Sequence, residues 1–67
     1  MEKRFYLNWS GIVEEAIKRR KEQKLTQTKL AILTGVSKPT LNRFEQGRTS
    51  ITLESALKIL RFLGLEK

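Results

Sequence analysis

The chain has 67 residues, 14 basic and 7 acidic, for a formal charge of +7, with no cysteine and no histidine. A chain this short makes one small domain that buries only ~60% of its unfolded surface, which favours a compact helical bundle and leaves no room for a deep catalytic cleft. Disulfides, thiolate metal sites and imidazole chemistry are excluded, no apolar run approaches the ~20 residues that span a bilayer, and the basic excess points to a polyanionic partner.

Residues 1–9 form an N-terminal arm. Phe5, Leu7 and Trp9 alternate with Tyr6 and Asn8, a period of two that fits a short strand or an ordered arm packed on a bundle over residues 10–65. The start lacks a signal peptide's continuous apolar stretch, so the expected compartment is the cytoplasm. Ser10 is the expected N-cap of the first helix, with Glu14 and Glu15 in its early turns favouring the dipole. Ile12, Val13, Ala16 and Ile17 make its apolar stripe. The run Lys18, Arg19, Arg20, Lys21 reads as a solvated face, and the helix ends at Lys24 and Leu25.

Thr26 caps a second helix over about Gln27 to Thr34, and Gly35 ends it in the left-handed conformation. Val36 bridges to Ser37, the cap of a third helix over about residues 38–46, with Pro39 in the first turn, where a missing N–H costs nothing. Gly47 stops that helix. Leu30, Ala31, Leu41 and Phe44 supply the core. The period cannot bury both Ile32 and Leu33 beside them, so one is expected at the surface, where it could meet another subunit. Two helices joined by so tight a glycine turn, inside a basic chain, describe a helix-turn-helix that reads DNA.

After the loop of residues 48–52, anchored by Ile51, Thr52 caps a fourth helix from Leu53 to Leu63. Leu53, Ala56, Leu57, Leu60 and Leu63 recur at helical spacing, and Leu65 folds back over the Gly64 stop. Ile59, Phe62 and Leu65 exceed what one core absorbs and would serve as a dimer surface.

Leu25-Thr26-Gln27, Leu30-Ala31, Gly35-Val36-Ser37 and Thr40-Leu41, then Arg43-Phe44-Glu45 and Gly47, together resemble the Cro/CI-type (Xre-like) helix-turn-helix of phage repressors and bacterial regulators. The likeness runs from about Ile12 to Leu65 and rests on some ten positions. It implies an all-α, lambda-repressor-like bundle of four or five short helices. Thr34 stands where the family more often has an apolar residue, and the chain ends after four motif helices where many members have a fifth. The resemblance also implies that Glu45 pairs with Arg20 of the first helix, and that Gln27 grips the DNA backbone while supporting a base reader.

A major groove admits one α-helix, whose N-terminal residues reach base edges first. With Leu41 and Phe44 pointing inward, Lys38, Pro39, Asn42 and Arg43 are the expected base readers. Arg43 can fork to guanine, Asn42 suits adenine, Pro39 can touch a thymine methyl, and Lys38 reads guanine or holds a phosphate. The bland alternative leaves Lys38 and Asn42 as solvated surface. Thr26, Gln27, Lys29, Ser37, Thr40, Gln46, Arg48 and Thr49 are phosphate candidates, since such contacts fix register without reading sequence.

The leading function is a transcriptional regulator, a repressor, that binds a palindromic double-stranded DNA operator as a homodimer. The rival is an antitoxin that binds a toxin protein and represses its own promoter, because residues 48–60 resemble such antitoxins. A membrane-surface role would need an apolar face that the core already uses. Catalysis is not expected, because no nucleophile–base pair or metal cluster can be read, and no cofactor is implied.

Overall fold

A computed structural model describes residues 8–65. It contains α1 (Trp9–Glu22), α2 (Gln27–Thr34), α3 (Lys38–Glu45) and α4 (Leu53–Phe62), and no strand among the described residues. The alternation of Phe5, Tyr6 and Leu7 lies outside those residues. Trp9 does not continue an arm. It opens α1 and meets Phe44 edge-on, ring centroids 5.5 Å apart.

Hydroxyl caps set three of the four starts. Thr26 accepts from the Lys29 N–H at 3.0 Å, Ser37 from Thr40 at 3.2 Å and Thr52 from Ser55 at 3.1 Å. Each satisfies one of the donors that a helix leaves without an internal partner. The first start differs from the sequence reading. Asn8, not Ser10, caps α1, taking the Gly11 N–H at 3.1 Å. Starting earlier removes Glu14 and Glu15 from the first turn, which carries no acid, so their expected dipole contribution is lost.

The stops also follow local chemistry. Gly35 has φ 78° and its N–H returns to the Ala31 carbonyl at 2.9 Å. α1 ends sooner than Lys24, at Glu22, and Lys24 itself takes the left-handed position with φ 59°. The Leu25 N–H then closes on the Arg20 carbonyl at 3.1 Å, the six-to-one bond of a helix terminus that usually employs glycine. α4 closes likewise, with the Leu65 N–H on the Leu60 carbonyl at 2.8 Å.

Val13, Ala16, Leu30, Ala31, Leu41, Phe44, Ile59 and Leu63 form the buried cluster. Ala16 and Ala31 let helices cross closely where a larger side chain would separate them. The face of α4 is corrected: Ile59 is fully buried, whereas Leu53 is 74% exposed. Ala56, Ile59 and Leu63 are the inward stripe, Leu60 and Leu65 flank it, and Phe62 remains largely outside. Ile32 and Leu33 are both exposed, not one of them. Thr34 tolerates its position because its hydroxyl donates to the Leu30 carbonyl at 2.8 Å, a back-bond that hides its polarity within the helix.

Candidate nucleic-acid interface

From Gln23 to Leu53 the chain carries five basic residues (Lys24, Lys29, Lys38, Arg43, Arg48) and one acid, Glu45. α3 turns Leu41 and Phe44 into the core, both with no exposed surface. Lys38, Pro39 and Asn42 are therefore pushed outward and are exposed. With Gln27 from the start of α2 they line one shallow groove. Three of the four expected base readers thus share a surface with the glutamine expected to support them.

Arg43 is half-buried, less free than the other three. Its Nη2 donates to the Thr40 hydroxyl at 3.4 Å, and that oxygen also accepts from the Ser37 hydroxyl at 2.8 Å. Ser37 is therefore cap and tether at once. Thr40, expected at a phosphate, also accepts from a terminal nitrogen of that guanidinium, at the i, i+3 spacing that brings helical side chains together.

Glu45 is the one acid of this surface, and its side chain is 8% exposed. Arg20 donates to it twice, Nε to Oε2 at 2.7 Å and Nη2 to Oε1 at 3.1 Å, a bidentate fork whose strength and geometry exceed those of a single ammonium contact. The pair expected from the family resemblance is present. Arg20 also donates Nη1 to the Leu25 carbonyl at 2.8 Å, so one side chain ties α1 to the link before α2 and to the end of α3.

Gln27 completes this arrangement in a way that the sequence did not reveal. Its Nε2 donates to Glu45 Oε1 at 2.8 Å. A carboxylate accepts only, so the amide nitrogen must face it. The orientation of Gln27 is thereby fixed by chemistry, with its carbonyl turned away from Glu45.

At the start of α2 the backbone N–H groups of Gln27 and Thr28 stand outside the helical ladder, and the dipole there favours an anion. Thr26 and Lys29 flank that position, both exposed. Beyond α3, Arg48 donates to the Gln46 side chain at 3.1 Å, which draws those two phosphate candidates together. Thr49 is exposed but lines a separate cavity with Trp9.

The basic run of α1 divides. Arg19 and Arg20 are half-buried rather than solvated, and only Lys18 and Lys21 are exposed. Arg19 pairs with Glu15 at 3.1 Å and reaches the carbonyls of Leu63 at 3.1 Å and Gly64 at 3.2 Å. It closes the end of α4, a role with no signature in the sequence because the acceptors are backbone atoms.

A bundle whose second and third helices are joined by the Gly35 turn and carry this basic face belongs to the helix-turn-helix class. The family model described as helix-turn-helix matches residues 17–67, and the chain belongs to that family, of the Cro/CI (Xre-like) type. An uncharacterised HTH-type transcriptional regulator of Haemophilus influenzae is 38% identical over 54 residues, covering 81% of this chain and 55% of that protein. The chain thus spans little more than half the length of this relative. Among the described residues no helix is long and apolar enough to cross a membrane.

Proposed function

We propose that this chain is the sequence-specific DNA-binding domain of a transcriptional regulator. α3 enters the major groove of double-stranded DNA, and the protein acts as a homodimeric repressor on a palindromic operator in the cytoplasm. The observation that carries this reading is the groove of Gln27, Lys38, Pro39 and Asn42 beside the tethered Arg43. Polar groups suited to base edges lie together on one exposed helix, and the one nearby carboxylate is already neutralised by Arg20.

Arg43 supplies the fork for guanine, Lys38 and Asn42 flank it, and Pro39 offers an apolar contact to a thymine methyl. Thr26, Gln27, Lys29, Ser37, Thr40, Gln46, Arg48 and Thr49 fix the register through phosphates. The work of this surface is binding, and nothing in it calls for a catalytic step.

Selection of duplexes from random DNA tests the reading. A two-fold site should emerge, with half-site centres one helical turn apart, ~34 Å. Arg43→Ala should relax selection at a guanine by ~1–3 kcal/mol. Gln27→Ala should lower affinity about evenly across sequences. If both folded variants select and bind as the parent does, the assignment is wrong.

A further inference from the structure

The start of α3 holds two hydroxyls that are linked to its arginine. Ser37 Oγ accepts from the Thr40 N–H at 3.2 Å, and the Ser37 hydroxyl donates to Thr40 Oγ1 at 2.8 Å. Arg43 Nη2 donates to the same Thr40 oxygen at 3.4 Å. A hydroxyl offers one hydrogen and two lone pairs. Both lone pairs of Thr40 are thus occupied, and its single hydrogen is left over.

We propose that Thr40 is a specificity-determining positioning residue, which aims the Arg43 guanidinium and turns its own remaining hydrogen toward an acceptor of the duplex. The inference rests on the groove-binding reading above and adds the side chain that directs the guanine fork.

Three arguments carry it. The first is charge. Glu45, the one acid of this surface, is taken by Arg20, so a neutral hydroxyl and not a carboxylate holds Arg43. A carboxylate would aim the side chain as well but would offset the charge that attracts DNA. The second is donor count. A guanidinium has five N–H donors and accepts nothing. Thr40 engages one of them and a fork to guanine needs two, so the tether can persist in the complex. At 3.4 Å the bond is long, and it restricts the side chain without locking it. Ordering a flexible side chain is part of what binding costs, and a side chain already held costs less to order.

The third is polarity. Toward the duplex the Thr40–Arg43 pair presents donors only. That pattern matches a phosphate oxygen, or O6, N7 or O4 on a base edge, and it disfavours the amino group of cytosine. The cap of α3 does not need this side chain, because Ser37 caps through the Thr40 backbone N–H. The hydroxyl of Thr40 is therefore free of the task that fixes the helix start.

The test uses the full chain with Thr40→Val, which keeps the branched shape and removes the oxygen. Thr40→Ala removes the same oxygen while improving helix propensity, and Thr40→Ser keeps the hydroxyl. Urea unfolding should place all three close to the parent. In selection from random duplexes, Thr40→Val and Thr40→Ala should each weaken the preference for guanine about tenfold, at the position that Arg43→Ala also relaxes. Thr40→Ser should restore most of that preference. In the free protein, nitrogen-15 relaxation at Arg43 Nε should show a more mobile guanidinium in Thr40→Val than in the parent or Thr40→Ser. If the remaining hydrogen meets a base, a neighbouring position relaxes as well; if it meets a phosphate, affinity also falls evenly across sequences.

A guanine preference unchanged in folded Thr40→Val and Thr40→Ala overturns the proposal. So does an even loss of affinity alone, since Thr40 would then serve only a phosphate. Unchanged Arg43 motion overturns it too, because Thr40 would then act by a route other than the arginine. Arg43→Ala separates the two readings. If it relaxes selection and the Thr40 variants do not, the aiming role fails and groove reading stands. If Arg43→Ala itself changes nothing, groove reading fails and the aiming role falls with it.

Discussion

Replacing Arg20 with methionine should remove much of the stability of this domain. The methionine keeps an apolar stem but deletes three donated bonds, two to Glu45 and one to the Leu25 carbonyl. The Glu45 carboxyl group would then lie without its guanidinium partner in a site where its side chain is 8% exposed, with Gln27 as its remaining described donor. Breaking a buried pair from one side costs ~3–5 kcal/mol, because the stranded charge bears the full desolvation penalty. A chain of this length holds about 3–10 kcal/mol in total. The melting midpoint should drop by at least ~12 °C, taking the low ends of the loss and of the shift per kcal/mol.

The comparison pair is Arg19–Glu15, whose shortest distance of 3.1 Å is similar but whose side chains are 37% and 41% exposed. Glu15→Ala should cost only ~0.3–0.5 kcal/mol, since solvent screens the pair. Urea unfolding followed by helical circular dichroism measures both. Replacing both partners, Arg20→Met with Glu45→Leu, should cost clearly less than the sum of the two single changes, since no charge is left stranded. A loss from Arg20→Met no greater than from Glu15→Ala, or additive behaviour of the double variant, would refute burial as the source of the effect.

Two further substitutions probe the helix ends. Lys24→Gly should raise stability by about 0.5–1 kcal/mol, because the ~1–2 kcal/mol left-handed penalty at φ 59° exceeds the entropy that glycine adds to the unfolded chain; the urea midpoint reads the difference, and no gain would mean that lysine is not strained there. Asn8→Ala should cost about 1 kcal/mol and Ser10→Ala less than ~0.5 kcal/mol, measured as the same midpoint shift; the reverse order would restore Ser10 as the cap.

What could be read in the sequence was what local chemistry decides. The hydroxyls of Thr26, Ser37 and Thr52 and the glycine at position 35 act on their own turns, so their roles need no knowledge of the rest of the chain. Asn8 was missed because both Asn8 and Ser10 cap well, and the alternation of Phe5, Leu7 and Trp9 suggested an arm up to that point. In α4 Ala56 and Leu63 turn inward as expected, and Leu53 and Ile59 were misplaced for a different reason. The sequence of α4 holds two overlapping apolar stripes, Leu53–Leu57–Leu60 and Ala56–Ile59–Leu63, at the same period. Which one turns inward depends on where the preceding loop delivers the helix, and periodicity contains no such information.

The Gln27–Glu45 contact has a consequence for how folding and binding are joined. Taken separately, the two residues had unconnected tasks, Gln27 at the backbone of DNA and beside a base reader, Glu45 in an ion pair with Arg20. Together they make the glutamine's orientation depend on an ion pair whose other end lies in α1. A carboxylate next to a polyanion would otherwise repel it. Here two donors occupy it, and one of them is the side chain proposed to meet the phosphate. Glu45→Ala should therefore weaken DNA affinity even under conditions where the domain remains folded, because Gln27 loses the group that fixes its amide. The defect should appear in titrations at temperatures well below the variant's melting midpoint. It should be smaller when Gln27→Ala is already present, since that background has no amide left to orient. An affinity loss of equal size in both backgrounds would show that Glu45 acts on DNA binding by a route other than Gln27.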